Sequence, residues 1–175
     1  VAMCGFISGA SVVAQTAVGQ NKRGKARFYR CIFYPWLRLL NWFAFGKHAN
    51  RSSLRSLKQT DRNVLLLYGE QDKTVYFPNN GKILQKGLSG KKNIRFVSYA
   101  DKGHNVYLTC EAEREMNRVF GEIAKVSSKD RSAAKEMYQK INYQSITQED
   151  GEVMECVIAF CRSLLAAGEE GREGS

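Results

Sequence analysis

The sequence predicts an α/β protein with about three parallel strands, flanking helices and a helical insertion between the first strand and the second. Three observations carry this. Val64-Leu65-Leu66-Leu67-Tyr68 is a continuous apolar run, the pattern of a strand buried on both faces. Ile94-Arg95-Phe96-Val97-Ser98-Tyr99 is a second strand-like run. Between them, residues 81–88 place Ile83, Leu84 and Leu88 at helical spacing, and strand, helix, strand is the unit that joins parallel neighbours.

Taken in order, residues 1–7 read as a buried strand, and Ser8-Gly9-Ala10-Ser11 as the turn leaving it. Residues 15–60 read as the insertion, a helical cap or lid. It opens on the polar, basic stretch Gln20-Asn21-Lys22-Arg23-Gly24-Lys25, a loop composition. Aromatic residues then recur from Phe28 to Phe45, including both tryptophans, Trp36 and Trp42, with Pro35 either starting a second helix or kinking one long helix. Ser52-Ser53-Leu54-Arg55-Ser56-Leu57 reads as a short helix capped by Ser52 or Ser53, leading into the run at Val64. Residues 1–14 and 61–126 thus form the core, which closes with a helix carrying Ala112, Met116, Val119, Phe120 and Ile123. Residues 127–167 supply C-terminal helices, the last with Val153, Cys156, Val157, Phe160 and Leu164 on one face and Thr147-Gln148-Glu149-Asp150 as its cap. Residues 168–175 read as a frayed tail.

Composition narrows the class. At 175 residues with 43% apolar content, the chain suits one globular domain rather than a disordered segment. Its five cysteines are odd in number and form no Cys-x-x-Cys pair, and they sit in apolar runs as small hydrophobes. The only two histidines, His48 and His104, lie far apart, so no metal-ligand spacing is present and neither a metal nor a cofactor is expected. No apolar run approaches the about 20 residues of a membrane span. A reducing, cytoplasmic setting is expected. The net charge of +10 is concentrated between Lys22 and Arg62, where Asp61 is the single acid. Such a segment is a solvated face, a draw for anionic substrates, or a surface for anionic lipid. No motif of the common RNA-binding modules accompanies it, and no specific nucleic acid is expected.

Two titratable residues fall where the chemistry of α/β sheets is kept. Asp72 follows the run ending at Tyr68-Gly69, and His104 follows the run ending at Tyr99. Parallel neighbours joined by a right-handed crossover bring both loops to the carboxyl edge of the sheet. An Asp that orients an imidazole acting as base makes two members of a hydrolytic triad.

Gly69-Glu70-Gln71-Asp72, the following helix and strand, and Gly103-His104 together resemble the acid and histidine region of the α/β-hydrolase superfamily. The terminal helix with Met154 and Ile158-Ala159-Phe160 is similar to the tail of its serine aminopeptidase-like members. The resemblance extends over nearly the whole chain, although its specific motifs are short. It implies an order of Ser, then Asp, then His, with Asp72 and His104 as the second and third members. The Gly-x-Ser-x-Gly nucleophile elbow is not in this chain: Gly9-Ala10-Ser11 is followed by Val12-Val13, and Gly87-Leu88-Ser89 by Gly90-Lys91. The chain therefore resembles the C-terminal portion of such an enzyme, with the nucleophile upstream of Val1.

The resemblance implies hydrolysis of a small-molecule ester, amide or acyl substrate through an acyl-enzyme, with this portion inactive alone. It places Ser8 near the pocket and makes Trp36 and Trp42 candidates for substrate binding, with a peripheral membrane contact through the cap. The alternative is a non-catalytic hydrolase-fold module that binds a partner or anionic surface through the basic aromatic cap. Transferase or haloperoxidase-like chemistry on the same fold also stays open.

Overall fold

Strand β2 (Val64–Gly69) is the middle member of a three-stranded, all-parallel sheet. It runs beside β1 (Ala2–Met3) on one side and β3 (Ile94–Tyr99) on the other. The computed structural model describes residues 1–10, 12–13 and 25–173. The register sets Ala2 opposite Leu66, and Val64 to Gly69 opposite Ile94 to Tyr99 without a slip. Because side chains alternate along a strand, the apolar run splits into two cores. Leu65 and Leu67 pack with Cys4, Val106, Val153 and Phe160. Leu66 and Tyr68 pack on the other face with Phe77, Leu84 and Leu88. There the Tyr68 ring stacks on Phe96 at 5.1 Å between centroids.

The helices in order are α1 (Lys25–Phe45), α2 (Ser53–Gln59), α3 (Gly81–Leu88), α4 (Cys110–Ser127), α5 (Arg131–Gln139), α6 (Tyr143–Ile146) and α7 (Gly151–Glu173). Four of them begin at side-chain caps. Ser52 accepts from the Arg55 N–H, Thr109 from Ala112, Asp130 from Ser132 and Ala133, and Asp150 from Val153. Leu54 and Leu57 of α2 and Leu84 and Leu88 of α3 cover one sheet face, while α7 covers the other. No helix among the described residues is long and apolar enough to cross a membrane.

Two expectations are corrected. The first strand covers two residues, not seven, because Cys4 has φ +47° and turns the chain out of the extended region. The Cys4 N–H still donates to the Leu67 carbonyl at 2.8 Å, and Tyr68 Oη then ties down the Gly5 carbonyl at 2.7 Å. Of the two expectations for Pro35 the single long helix is the one found, with the proline inside α1. The tail expected to fray from residue 168 is helical through Glu173: Ala166, Ala167 and the following Glu and Arg residues favour helix enough to carry two glycines. Between α5 and α7 the short helix α6 buries Ile146. The loop residues 20–24 and Ser11 lie outside the described residues.

Candidate active site

The carboxyl ends of all three strands deliver a chemically competent side chain to one edge of the sheet: Cys4 after β1, Asp72 after β2 and His104 after β3. His104 Nδ1 lies 2.8 Å from Asp72 Oδ2. The Asp72 side chain is wholly buried, whereas the imidazole is 39% exposed. The carboxylate's other oxygen accepts from the N–H groups of Thr74 and Val75, each at 2.7 Å. A buried carboxylate with both oxygens occupied has a single orientation, and that orientation fixes the ring. With Nδ1 turned to Asp72, Nε2 is left for proton transfer.

Two backbones meet beneath this pair. A Cβ on Gly69 would stand 2.1 Å from the Gly103 carbonyl oxygen and 2.3 Å from that of Lys102, so only glycine fits. The Glu70 N–H donates to Tyr99 and the Gln71 N–H to Lys102, closing the Asp72 loop against the His104 loop. The histidine loop has its own clamp in Glu113 of α4. Its Oε2 accepts from the Gly103 N–H at 3.1 Å and its Oε1 from the Asn105 N–H at 2.8 Å, one residue on each side of His104. Behind it, Lys102 Nζ is buried in an ion pair with Asp150 and donates to the Leu108 carbonyl at 3.0 Å. That pair holds the Asp150 carboxyl below its usual range. It also pins the histidine loop to the start of α7.

The imidazole pKa is pushed up to about 10. The hydrogen bond to Asp72 is the first cause and the adjoining Cys4 thiol the second, and together they outweigh burial, which pulls the other way. Cys4 was not singled out from the sequence. Its Sγ, a ring nitrogen of His104 and a carboxylate oxygen of Asp72 all lie within 4.8 Å of one another, and the thiol donates to the Gly103 carbonyl at 3.8 Å. The only signal for it was position, since it too stands at the carboxyl end of a strand. No spacing rule connects residues 4, 72 and 104.

A cavity of about 760 Å³ opens beside His104, bounded by Gln71, Lys73, Thr74, Asn105 and Arg114. Of the predicted site residues, Asp72 and His104 are brought together. Ser8 is buried at the turn after β1, where its carbonyl accepts from the Val12 N–H, and it does not line this cavity. Trp36 and Trp42 stand exposed on α1 and do not line it either. A second cavity of about 650 Å³ gathers part of the basic segment: Arg38, Lys47, Arg51 and Arg55 line it, and no acid does.

No family model, curated protein or solved structure matches this chain.

Proposed function

We propose that this chain is the C-terminal part of a serine hydrolase of the α/β-hydrolase type, acting on ester or amide bonds, in which His104 is the general base and Asp72 its orienting acid. The observation that carries the reading is the 2.8 Å contact between a fully buried Asp72 and a half-exposed His104 at the carboxyl edge of a parallel sheet. The attacking serine comes from residues preceding Val1. Among the described residues the outer edge of β1 pairs with no other strand, and the imidazole reaches across the sheet as far as Cys4 on that side. A strand added at that edge would bring its own carboxyl end next to His104.

In the first half-reaction His104 Nε2 takes the serine proton as the oxygen attacks the acyl carbon, and Asp72 stabilises the imidazolium. The same proton then passes to the departing alcohol or amine. Water repeats the sequence on the acyl-enzyme. Oxyanion donors also come from outside the chain, so the chain alone is silent. The aromatic insertion would serve as a lid for an apolar acyl or aryl group, with a cytoplasmic setting.

The test is a fluorophosphonate probe on the protein extended upstream. Labelling should vanish when the upstream serine becomes Ala, and ester turnover should vanish in His104→Ala. A folded extended protein that never labels defeats the reading.

One observation favours a second reading, that of a non-catalytic module for an anionic surface: the acid-free cavity of Arg38, Lys47, Arg51 and Arg55 adjoins a helix that exposes Trp36 and Phe43. Sedimentation with vesicles containing phosphatidylserine, but not with neutral ones, and its loss in Arg51→Gln/Arg55→Gln, would support it. Equal sedimentation with both vesicle types would exclude it.

A further inference from the structure

The His104–Asp72 pair has a neighbour that proton transfer does not use. Cys4 is almost fully buried, and its sulfur shares a sphere of 4.8 Å with a His104 nitrogen and an Asp72 oxygen. Sulfur, imidazole nitrogen and carboxylate oxygen are the three donors zinc takes, at about 2.3, 2.0 and 2.1 Å respectively. Around a tetrahedral ion such bonds set the donors roughly 3.3 to 3.7 Å apart. The 2.8 Å gap between His104 and Asp72 would widen slightly and the thiol would draw in by about an ångström or less, within the reach of side-chain rotation.

The surroundings suit a metal as well as a catalytic pair. Outer hydrogen bonds orient metal ligands, and here Asp72 is held by two N–H groups while Glu113 grips the backbone on both sides of His104. Cys4 is fixed by its left-handed backbone and by the Leu67 carbonyl. The half-exposed side of His104 leaves a fourth position open to water.

We propose that Cys4, His104 and Asp72 form a zinc site whose occupation switches the pair off. Binding displaces the Cys4 S–H proton and one proton of the imidazolium, both of which pass to buffer, and the neutral imidazole is then held through a nitrogen lone pair. If the ion sits on Nδ1, the ring hydrogen is confined to Nε2. If it sits on Nε2, the base nitrogen itself is covered. In neither case can Nε2 accept a proton. The inhibitory half of the proposal rests on the hydrolase reading above, whereas the metal site does not.

Cobalt(II) is the probe, because a thiolate bound to it gives a charge-transfer band in the near ultraviolet. It is added to this chain with Cys31, Cys110, Cys156 and Cys161 changed to Ser, so that Cys4 is the one remaining thiol. The band should rise to one equivalent, be bleached by Zn²⁺, disappear on adding Cys4→Ser, and need at least about tenfold more cobalt in His104→Ala. Absence of the band in the folded four-serine chain overturns the site. If that variant does not fold, wild type against Cys4→Ser decides, and a band that survives Cys4→Ser overturns it equally. In the extended protein Zn²⁺ should inhibit ester turnover, with Cys4→Ser raising the inhibitory concentration at least about tenfold. A cobalt band without inhibition overturns the switch and keeps the site. A protein with no turnover at all counts against the hydrolase reading alone.

Discussion

His104 carries a pKa of about 10, against an ordinary 6.5, because Asp72 and Cys4 both favour its charged form. A base acts when neutral, so under the proposed hydrolase reading turnover by the protein extended upstream should climb as pH rises from 7 toward 10. In Asp72→Asn the His104 titration, followed by its ring-proton NMR shifts, should fall back toward 6.5, and an unchanged midpoint would show that Asp72 is not the cause. The sign for stability follows from the same shift. A pKa raised on folding stabilises the fold fully below 6.5, and the gain fades as pH climbs toward about 10. With the ring partly in water, solvent screens that contribution. Glu113 acts one step further back. Bonds from N–H groups to a carboxylate contribute about 1.5 kcal/mol or more each. Glu113→Ala should therefore speed hydrogen exchange at the Gly103 and Asn105 amides at least about tenfold. Exchange that stays at the wild-type rate would mean that something else holds the histidine loop.

At the scale of elements, the legible parts were those whose pattern is local. Strands β2 and β3 show as apolar runs because both faces of β2 are buried, and Asp72 and His104 could be paired because each follows such a run at a glycine. Strand β1 was overdrawn: residues 1–7 are apolar enough for a strand, and nothing in their composition reveals that Cys4 adopts a positive φ. The short helix α6 was missed because four residues are too few to show a period. The proposed zinc donors were invisible for a different reason, since three residues beyond the ends of three strands are neighbours only after the sheet forms. The contact between the Asp72 loop and the His104 loop turns on one residue. Gly69→Ala would drive a Cβ into two carbonyl oxygens that belong to backbone and cannot rotate away. A loss of about 2 kcal/mol or more is expected in urea unfolding, together with a weaker His104–Asp72 contact. A variant as stable as wild type would show that the loops separate easily.

Over the whole molecule, Lys102 and Asp150 join the sheet's carboxyl edge to the last helix, and the antiparallel bridge between Leu108 and Glu149 runs beside them. Lys102 is buried but Asp150 is partly exposed, so removing the lysine leaves a partly solvated charge unanswered, at a cost on the order of 2 kcal/mol, below that of a fully buried pair. Lys102→Met should lower stability by about that much, and Lys102→Met/Asp150→Asn should recover part of it. A double variant no more stable than the single one would assign the loss to the lysine's packing. The basic segment reads differently at this scale than along the chain. The sequence shows a run of cations, but only folding collects Arg38 on α1 with Arg51 and Arg55 around α2 into one acid-free hollow.

The short, bare outer edge of β1 has a consequence for handling the protein. Unpaired N–H and C=O groups along an exposed strand are a template for another chain, and among the described residues only the shortness of β1, two residues, blunts that edge, which has neither an inward charge nor a proline. A two-residue template is weak, so the isolated chain should self-associate, edge against edge, only at high concentration, where sedimentation velocity should show dimers. Met3→Lys, a charge placed on that edge, should return it to a monomer, which would be the form of choice for the cobalt titration.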